Sequence, residues 1–386
     1  MIGLCEEHSS NIILGLIYES VKSRKGTFNI EVQHYNERFW DVYCSDMMPL
    51  DKNESYWMLD DELIKAATTL GAPELSTYPD YGELKNALAK YAGVAKEQLL
   101  ITPGSDAVIE HIAHAYVSDG GEAILPVPTF YGYESILERV GAKMVPITYE
   151  EQNGRFVFPI AKTAEALTKG SANVLFLCHP NNPLGCTLSR EDISSLVAAA
   201  RTSDALIVSD EAYFEFSSGE SFLPHLAELP NLIVIRTLSK AFALSGARIG
   251  YAIAAPEIIK KLEKLMLPWP VTHLSVAAAL ALLARADAVQ VRRDAVIVER
   301  EQFIQTLRTL HGITAYPSET NFVLVRVPDA ARVRDALLAQ GIRVALGEPM
   351  SRFPEAKTLL KDTLRIAVPA PESEVSFVEA LQRNLL

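Results

Sequence analysis

Lys240 stands among residue types that could hold a phosphorylated aldehyde. In the segment RTLSKAFALSGARIGY, residues 236–251, Thr237 and Ser239 precede the lysine and Arg248 follows it by eight positions. An unprotonated lysine amine forms a Schiff base with an aldehyde, and hydroxyl groups with a guanidinium suit a phosphate dianion. Lysines beside hydroxyl groups are also common on plain protein surfaces, so this segment indicates the chemistry only together with others.

A second segment, TPGSDAVIEHIAHA at 102–115, could bind the phosphate. Gly104 and Ser105 turn the chain after an apolar run, and Asp106 opens a predicted amphipathic helix. The free N–H groups at a helix start bind anions, and glycine allows the backbone to approach closely. A simple N-cap by Ser105 or Asp106 is the alternative, and the two interpretations are compatible.

Polar residues that could hold a pyridine ring follow two apolar runs. Asp210 lies in VSDEAY, residues 208–213, where a carboxylate is costly unless it has a partner. It could hold a pyridinium proton, and Tyr213 could reach the phenolic oxygen of the same ligand. Asn182 lies in the turn CHPNNPLG, residues 178–185, although Asn-Pro pairs also make turns that bind nothing.

The segment PVPTFYGYES at 126–135 places Phe130, Tyr131 and Tyr133 near a predicted helix start. An aromatic face of this kind stacks on a flat ring, although such residues more often belong to the core. The lysine, the acid, the phosphate ligands and the aromatic face together fit one molecule, a phosphorylated pyridine aldehyde. That molecule is pyridoxal 5′-phosphate.

Alternating apolar runs and helical segments are predicted to position these residues. Near-continuous apolar strands separated by helices predict a mainly parallel sheet that is covered on both faces. Most of the strands end at polar residues, and open α/β sheets bind ligands at the carboxyl ends of their strands. The predicted strands are 122–127, 143–147, 173–178, 205–210, 232–238 and 247–254, and the helices between them include 107–117, 130–140 and 189–201.

Beyond residue 256 the pattern changes to that of a smaller α+β domain. Helices are predicted at 256–266, 272–285, 290–310, 329–340 and 372–384, and strands at 321–327 and 363–368. Residues 1–45 match neither pattern, and we predict that they form an N-terminal arm.

Charge and composition argue against several classes of protein. The net charge of −12 and the pI of about 5.3 argue against a nucleic-acid partner. The four cysteines make no disulfide framework, and Cys178, His179 and Cys186 lack a second ligand pair, so no metal site is expected. The longest apolar tract, 274–284, is too short to span a membrane, and no signal peptide is evident, so a cytoplasmic location without a membrane partner is expected.

The chain resembles the class I/II aminotransferases among the fold-type-I pyridoxal-phosphate enzymes, and most of all the histidinol-phosphate aminotransferase family. The matching segments, in family order, are STYPDYGELKNALA, TPGSDA, PTFYGY, HPNNPLG, VSDEAYFEF, RTLSKAFALSGARIGY, PWPVTHLSVAAALA, SETNFVLVRV and LRIAV. The resemblance implies the α/β fold of PLP-dependent transferases of type I. Its large PLP-binding domain, 76–285, would hold a mainly parallel seven-stranded sheet between helices, with 46–75 and 286–386 forming the small α+β domain.

The resemblance also implies roles for individual residues around the cofactor. Lys240 would hold the aldehyde and move the substrate proton, and Asp210 would bond the pyridine nitrogen. Asn182 and Tyr213 would bond the ring oxygen, and Phe130 would stack on the ring. The phosphate would be held by Ser105, Asp106, Thr237, Ser239 and Arg248.

Other implied roles concern the subunit partner and the substrate. Tyr78 would reach the phosphate of the neighbouring subunit's cofactor, which makes a homodimer the active unit. Arg365 would bind the anionic group of the substrate, and Asn321 would support that pocket. Asn53 lies in LDKNESYW, which departs from the family's substrate-side loop, so the substrate is not defined by the resemblance.

A further departure concerns a substrate anion ligand. The histidinol-phosphate branch usually has an arginine where this chain has Ala345, which leaves Arg343 or Arg352 as substitutes. This change argues against strict histidinol-phosphate specificity. The predicted activity is transfer of an amino group from an amino acid or amino-phosphate donor to a 2-oxo acid. The alternative on the same scaffold is decarboxylation of a phosphorylated or unmodified amino acid; a non-catalytic regulator is disfavoured by the intact Lys240–Asp210 pair.

Overall fold

A computed structural model of the chain describes residues 47–54, 59, 61–69 and 71–385. The predicted N-terminal arm, 1–45, lies outside the described residues. The predicted strands and helices of the remaining chain are all present, most of them shifted at their ends by only a few residues.

The helices and strands have the following bounds. The helices are α1 Asp61–Thr68, α2 Ala72–Ser76, α3 Gly82–Ala92, α4 Ser105–Tyr116, α5 Tyr131–Arg139, α6 Ile160–Thr168, α7 Arg190–Ala200, α8 Pro256–Glu263, α9 His273–Leu283, α10 Ala286–Arg308, α11 Ala330–Leu338, α12 Pro354–Leu359 and α13 Pro371–Leu385. The strands are β1 Met48–Pro49, β2 Leu99–Thr102, β3 Glu122–Val127, β4 Lys143–Thr148, β5 Glu150–Gln152, β6 Arg155–Val157, β7 Val174–Cys178, β8 Leu206–Asp210, β9 Leu232–Thr237, β10 Gly250–Ala254, β11 Thr314–Ala315, β12 Phe322–Arg326, β13 Ile342–Arg343, β14 Ala345–Leu346 and β15 Thr363–Ala367.

The larger sheet has seven strands in the order β2-β10-β9-β8-β7-β3-β4. The pairs from β9 to β4 are parallel, and β10 runs antiparallel to both of its neighbours. This arrangement confirms the mainly parallel, seven-stranded sheet that the sequence and its resemblance predict. The connections between successive parallel strands contain α-helices, except that between β8 and β9, which contains two short 3₁₀ helices, Phe214–Phe216 and Leu223–Ala227.

Both faces of this sheet are buried, which explains why its strands read as continuous apolar runs. Along β7, Leu175 and Leu177 enter one apolar cluster while Val174 and Phe176 enter another. Because successive side chains of a strand point to opposite faces, this alternation places a core on each side of the sheet.

The carboxyl ends of the central strands lie level with one another. Cys178 at the end of β7 pairs with Asp210 at the end of β8. Thr237 at the end of β9 pairs with Gly250 of β10, which pairs in turn with Thr102 of β2. The register therefore fixes the backbone of the predicted cofactor ligands along one edge of the sheet.

A smaller sheet, in the order β11-β12-β15-β14, is antiparallel throughout. Its own apolar cluster joins Val323, Ile366 and Phe303 with residues of α11 and α13. Two short pairs, β1 with β13 and β5 with β6, complete the sheets of the described residues. The division into a large and a small domain, with boundaries at 75/76 and 285/286, stays a prediction.

The strand β10 begins later than the sequence predicts, at Gly250 rather than at 247. Residues Ser245–Ala247 form a single 3₁₀ turn, and Arg248 adopts a left-handed φ of 51°. Among the described helices no single one has the length and apolarity to cross a membrane; only α9 and α10 taken together, across an 81° bend, meet that criterion.

Candidate functional site

Asp210 occupies the centre of the polar edge formed by the strand ends. Its side chain is buried, with 4% of its surface exposed. The Tyr133 hydroxyl donates to Oδ2 at 2.7 Å, and the Ala212 N–H donates to Oδ1 at 3.2 Å. Burial raises the pKa of Asp210 to about 6, and these two hydrogen bonds oppose the rise. The carboxylate is therefore a buried acceptor whose charge a cationic ligand would stabilise.

Tyr213 and two asparagines form a hydrogen-bonded group beside Asp210. The Tyr213 hydroxyl oxygen accepts from Asn53 Nδ2 at 2.9 Å and from Asn182 Nδ2 at 3.5 Å. All three side chains are buried. Burial raises the pKa of Tyr213 above its ordinary value, so the hydroxyl stays protonated and is available to donate to an oxygen of a ligand.

The amine of Lys240 lies next to this group and is anchored by backbone oxygens. Its Nζ lies 5.6 Å from the centroid of the Tyr213 ring, and it donates to the carbonyl oxygens of Lys52 at 3.1 Å and Asn53 at 3.3 Å. Burial, with the positive charge of Arg365 as the next cause, lowers the pKa of Lys240 to about 8. A larger share of the amine is then unprotonated near neutral pH, which is the nucleophilic form.

Gly104, Ser105, Arg248 and Gly250 lie close together in a cluster that we call the phosphate cradle. Gly104 has a φ of 86°, and α4 begins at the next residue, Ser105. A Cβ atom at Gly250 would lie 2.2 Å from the Ser105 nitrogen, and one at Gly104 would lie 2.5 Å from Arg248 Nη2. The two glycines therefore allow a helix start and a guanidinium to meet, an arrangement that binds phosphate.

Hydroxyl groups and one carboxylate border the phosphate cradle. Thr237 Oγ1 lies 3.0 Å from Ser239 Oγ and 3.1 Å from the Ile249 carbonyl oxygen. Arg248 Nη2 lies 3.5 Å from Asp106 Oδ2, and both side chains are about half exposed. The guanidinium thus offsets the negative charge of Asp106 at the helix start.

Phe130 lies at the start of α5, close to the residues that hold Asp210. Its ring centroid is 5.5 Å from that of Tyr133, edge to face, and 5.2 Å from that of Tyr131. A Cβ at Gly132 would lie 2.4 Å from the Phe130 ring, so glycine at this position leaves room for the ring. The half-buried Phe130 can present a ring face to a flat ligand.

Arg365 is a buried cation on β15 that contacts the segment 51–53. It donates from Nη1 to Asn182 Oδ1 at 2.7 Å and from Nη2 to the Asp51 carbonyl oxygen at 2.6 Å. Asn321 Nδ2 donates to the Asn53 carbonyl oxygen at 3.0 Å. Arg365 and Asn321 therefore both contact the segment 51–53, and the substrate roles that the resemblance implies for them stay a prediction.

Tyr78 is the predicted site residue that the structure does not bring to the others. Its side chain is 73% exposed and stacks on Trp269, with ring centroids 4.2 Å apart. The sequence-based prediction assigns Tyr78 to the neighbouring subunit's cofactor, and its exposed position leaves that prediction open.

The pairing of β14 with β15 shows which residue lies beside Ala345. Ala345 pairs directly with Arg365, so the two side chains lie on the same face of the smaller sheet. Arg343 Nε lies 3.4 Å from Asp51 Oδ2, and Arg352 contacts both Glu134 and Glu138. Both arginines that could replace a missing anion ligand therefore contact carboxylates.

Several contacts of this site were not predicted from the sequence. Tyr133 was assigned only to an aromatic face, although its spacing of three from Phe130 places both near the same end of α5. The carbonyl oxygens of residues 51–53 carry no sequence signal, because any residue supplies one. A third contact is the buried pair in which Arg236 Nη2 donates to Glu211 Oε2 at 2.9 Å. This pair neutralises the carboxylate that follows Asp210 in the chain.

The arrangement suits a phosphorylated, electron-withdrawing aldehyde better than a metal. A nucleophilic amine, a buried carboxylate, hydroxyl-bonding groups and an anion cradle lie along one edge of the sheet. In the described part of the chain, no group of three or more histidine, cysteine, aspartate or glutamate side chains could hold a metal ion.

Comparisons with known proteins show the family of this chain. Residues 45–382 match the family model described as aminotransferase class I and II. Histidinol-phosphate aminotransferase from Thermoanaerobacter sp. (strain X514) is 33% identical over 378 residues, which are 97% of this chain and 100% of that protein.

Two solved structures share the fold. The histidinol-phosphate aminotransferase from Sinorhizobium meliloti in complex with pyridoxal-5′-phosphate has a TM-score of 0.77 at 24% identity, covering 88% of this chain and 90% of that one. The L-threonine-O-3-phosphate decarboxylase from Porphyromonas gingivalis has a TM-score of 0.72 at 24% identity, covering 87% and 99%.

Proposed function

We propose a reaction for this chain from the premise that it belongs to the aminotransferase class I and II family. It is a pyridoxal-5′-phosphate-dependent aminotransferase. The proposed donor is an amino acid or an amino-phosphate compound, and the proposed acceptor is a 2-oxo acid. The relatives named for histidinol phosphate support a small-molecule donor of this kind.

One observation carries the proposal: the Lys240 amine, the Asp210 carboxylate and the phosphate cradle lie along the same edge of the larger sheet. The residues present fit the cofactor. In the phosphate cradle only glycine at 104 and 250 allows the close approach of Arg248 and the start of α4, because a Cβ at Gly104 would lie 2.5 Å from Arg248 Nη2 and one at Gly250 would lie 2.2 Å from the Ser105 nitrogen. The buried Asn53 Oδ1 has no hydrogen-bond partner among the described residues, so it can accept from a ligand that enters here.

We assign the cofactor-binding roles by the chemistry of each group. Lys240 would hold the aldehyde through its amine, and Asp210 would hold the proton on the ring nitrogen. Tyr213 and Asn182 would donate to the ring oxygen, and Phe130 would stack on the ring. The phosphate would be bound by the N–H groups of Ser105 and Asp106 and by Thr237, Ser239 and Arg248. When bound, the cofactor supplies an electron sink for the negative charge that develops at the substrate Cα.

The chain's own groups supply binding and proton transfer. Lys240 Nζ, whose pKa is lowered to about 8, accepts the proton from the substrate Cα and later returns it. Arg365 binds the substrate carboxylate, and Asn321 and Asn53 hold the segment 51–53 that lies beside it. Burial of Asp210 and Tyr213 excludes water and strengthens these electrostatic interactions.

A single-turnover experiment tests the proposal. Purified protein is loaded with pyridoxal 5′-phosphate and mixed with one amino donor at a time, including histidinol phosphate and aromatic amino acids. We expect a donor to convert the visible absorbance of the lysine-bound cofactor to that of the amine form, and a 2-oxo acid to reverse it. A protein that gains no visible absorbance and no borohydride-trapped adduct on Lys240 contradicts the proposal.

The same mixtures distinguish decarboxylation, the second reaction that the sequence leaves open. A decarboxylase releases labelled carbon dioxide from a carboxyl-labelled donor without lasting conversion of the absorbance. An aminotransferase gives the amine form of the cofactor and retains the label. The Lys240→Ala variant is the control for both signals.

We propose that the active unit is a homodimer, and an exposed apolar surface supports it. Tyr78 stacks on Trp269 at this surface, and the helix of Leu75 packs against the helix of Leu274. With Leu267, these five side chains are each at least half exposed. Exposed apolar clusters of this kind mark protein interfaces.

Mixing two inactive variants tests whether Tyr78 serves the partner's site. In a hybrid of Lys240→Ala and Tyr78→Phe chains, one of the two sites would combine Lys240 with Tyr78 of the other chain. Random exchange therefore restores up to roughly a quarter of the wild-type sites. If activity stays at the level of the separate variants although hybrids form, Tyr78 does not act across the interface.

We also propose a cytoplasmic location, and one observation on the described residues supports it. Cys178 and Cys186 are free thiols, which suits a reducing compartment.

A further inference from the structure

Tyr133 makes the shortest side-chain contact with the carboxylate at the centre of the site. Its hydroxyl lies 2.7 Å from Asp210 Oδ2, and its side chain is fully buried. The ring is held from two sides, stacked on Phe176 at 5.1 Å and edge to face with Phe130 at 5.5 Å. The hydroxyl has little freedom to turn away from Asp210.

The two oxygens of Asp210 are bonded differently. Oδ1 accepts from the Ala212 N–H at 3.2 Å, and Oδ2 accepts from Tyr133. Each carboxylate oxygen has a second lone pair, so both can still accept from a ligand. Burial and the negative charge of Asp210 raise the pKa of Tyr133 well above its ordinary value, so the phenol stays a donor at every relevant pH.

We propose that Tyr133 is a positioning residue that orients Asp210 and lowers its basicity, so that a proton shared with the cofactor's ring nitrogen remains on the nitrogen. This inference deepens the proposed function and depends on it through the role of Asp210. A donated hydrogen bond stabilises the ionised carboxylate relative to the protonated one. Without it, the carboxylate becomes the stronger base and takes the proton more often.

Other titratable groups face Asp210, and they do not replace this effect. The Cys178 thiol on β7 is buried, and its pKa is raised, so it stays neutral. The carboxylates of Asp106 and Glu211 act in the opposite direction, because negative charge nearby raises the pKa of Asp210. Tyr133 is the side-chain donor that counters burial and these two charges among the described residues.

The size of the effect follows from the strength of a hydrogen bond to a charged group. Such a bond changes an equilibrium by about tenfold or more, so its loss raises the pKa of Asp210 by about one unit. The same factor of about ten moves the shared proton from the ring nitrogen toward Asp210. Since the protonated ring is the better electron sink, the rate of donor conversion follows the fraction of protonated ring and falls by up to about the same factor.

The test uses Tyr133→Phe, which removes the hydroxyl and keeps the ring. We expect kcat for the donor half-reaction to fall by up to about tenfold while the KM for the donor changes little. Tyr149→Phe is the matched control, because Tyr149 is also buried and its hydroxyl bonds an asparagine amide rather than a carboxylate. It should leave kcat unchanged.

A second readout needs no cofactor. The stability of the apoenzyme is measured against pH for the wild type, Tyr133→Phe, Asp210→Asn and the double variant. Because folding raises the pKa of Asp210, the folded state binds more protons than the unfolded state between the two pKa values, so stability falls as pH rises through that window. In Tyr133→Phe the upper end of the window moves from about pH 6 to about pH 7, and the Asp210→Asn background removes the shift.

The possible outcomes separate the alternatives. A pH-independent loss of stability with unchanged kcat means that Tyr133 only fills space, and it overturns the inference. If Tyr133→Phe does not fold, 3-fluorotyrosine at position 133, a stronger donor, should lower the Asp210 pKa instead. A wild-type protein that never reacts with the cofactor refutes the proposed function, whereas the pH-dependent coupling in the apoenzyme would still be measurable.

Discussion

Gly250→Ala should distort the phosphate cradle, although Gly250 itself supplies none of the groups that are proposed to bind the phosphate. The added Cβ would lie 2.2 Å from the Ser105 nitrogen and 2.4 Å from the Gly104 carbonyl carbon. Both neighbours are backbone atoms, which cannot rotate away as a side chain can. Unstrained contacts between heavy atoms begin near 3.5 Å, so the start of α4 must move by about 1.3 Å (3.5 − 2.2).

The substitution is expected to lower both the free energy of unfolding and the affinity for the cofactor. Overpacking of this kind costs about 1–3 kcal/mol, and we expect the upper end because the clash is with backbone. The displaced helix start weakens hydrogen bonds to a charged group, each contributing about 1.5–3 kcal/mol, so the affinity for pyridoxal 5′-phosphate should fall about 10- to 100-fold.

Gly246→Ala is the matched control in the same region of the chain. A Cβ at Gly246 meets nothing within 4 Å, and its φ is not in the left-handed region. Urea unfolding of the apoenzyme and spectrophotometric titration with the cofactor are measured for both variants. If Gly250→Ala matches Gly246→Ala in both measurements, the close approach of β10 to α4 does not shape the phosphate site.

Three further predictions concern charged groups. The rate at which pyridoxal 5′-phosphate added to the apoenzyme forms its imine with Lys240 should rise through a midpoint near pH 8, because burial lowers the pKa of Lys240 to about 8; a midpoint near the ordinary value for lysine contradicts this. Glu211→Gln should lower the free energy of unfolding by about 3–5 kcal/mol in urea titrations, because it leaves the Arg236 guanidinium buried without its carboxylate; an unchanged midpoint would show that the pair is not a net contributor. Asp51→Asn should raise the donor KM by about tenfold with little change in kcat. The reason is that the Asp51–Arg343 ion pair holds the segment 51–53, which contacts Arg365, the proposed ligand of the substrate carboxylate; a loss confined to kcat would contradict this.

The sheet could be predicted well because most of its strands contain continuous apolar runs. Val174–Cys178 and Leu206–Asp210 are buried at every position, and polar residues follow them directly. Such runs predict both the strand and the residue near which it ends. The start of β10 was predicted less accurately, because the 3₁₀ turn Ser245–Ala247 and the left-handed Arg248 precede it and no local sequence pattern indicates them.

Some features of the site could likewise be predicted from the sequence, and others could not. Lys240, Asp210, Asn182 and Tyr213 follow strands whose order along the chain predicts one shared edge, and the structure places them there. The contact of Tyr133 with Asp210 spans 77 positions in sequence and requires the exact rotation of α5 against β8. Backbone carbonyls that hold Lys240 leave no trace in residue types.

The exposed stack of Tyr78 on Trp269 has a consequence for how the proposed homodimer responds to dilution. If Tyr78 of each chain completes the site of the other chain, a monomer contains no complete site. Association is then coupled to catalysis by mass action, and the turnover per chain falls as the protein is diluted below its dimer dissociation constant. A cofactor that is bound by residues of both chains would favour the dimer over the monomer. The fraction of dimer would then increase with the concentration of pyridoxal 5′-phosphate.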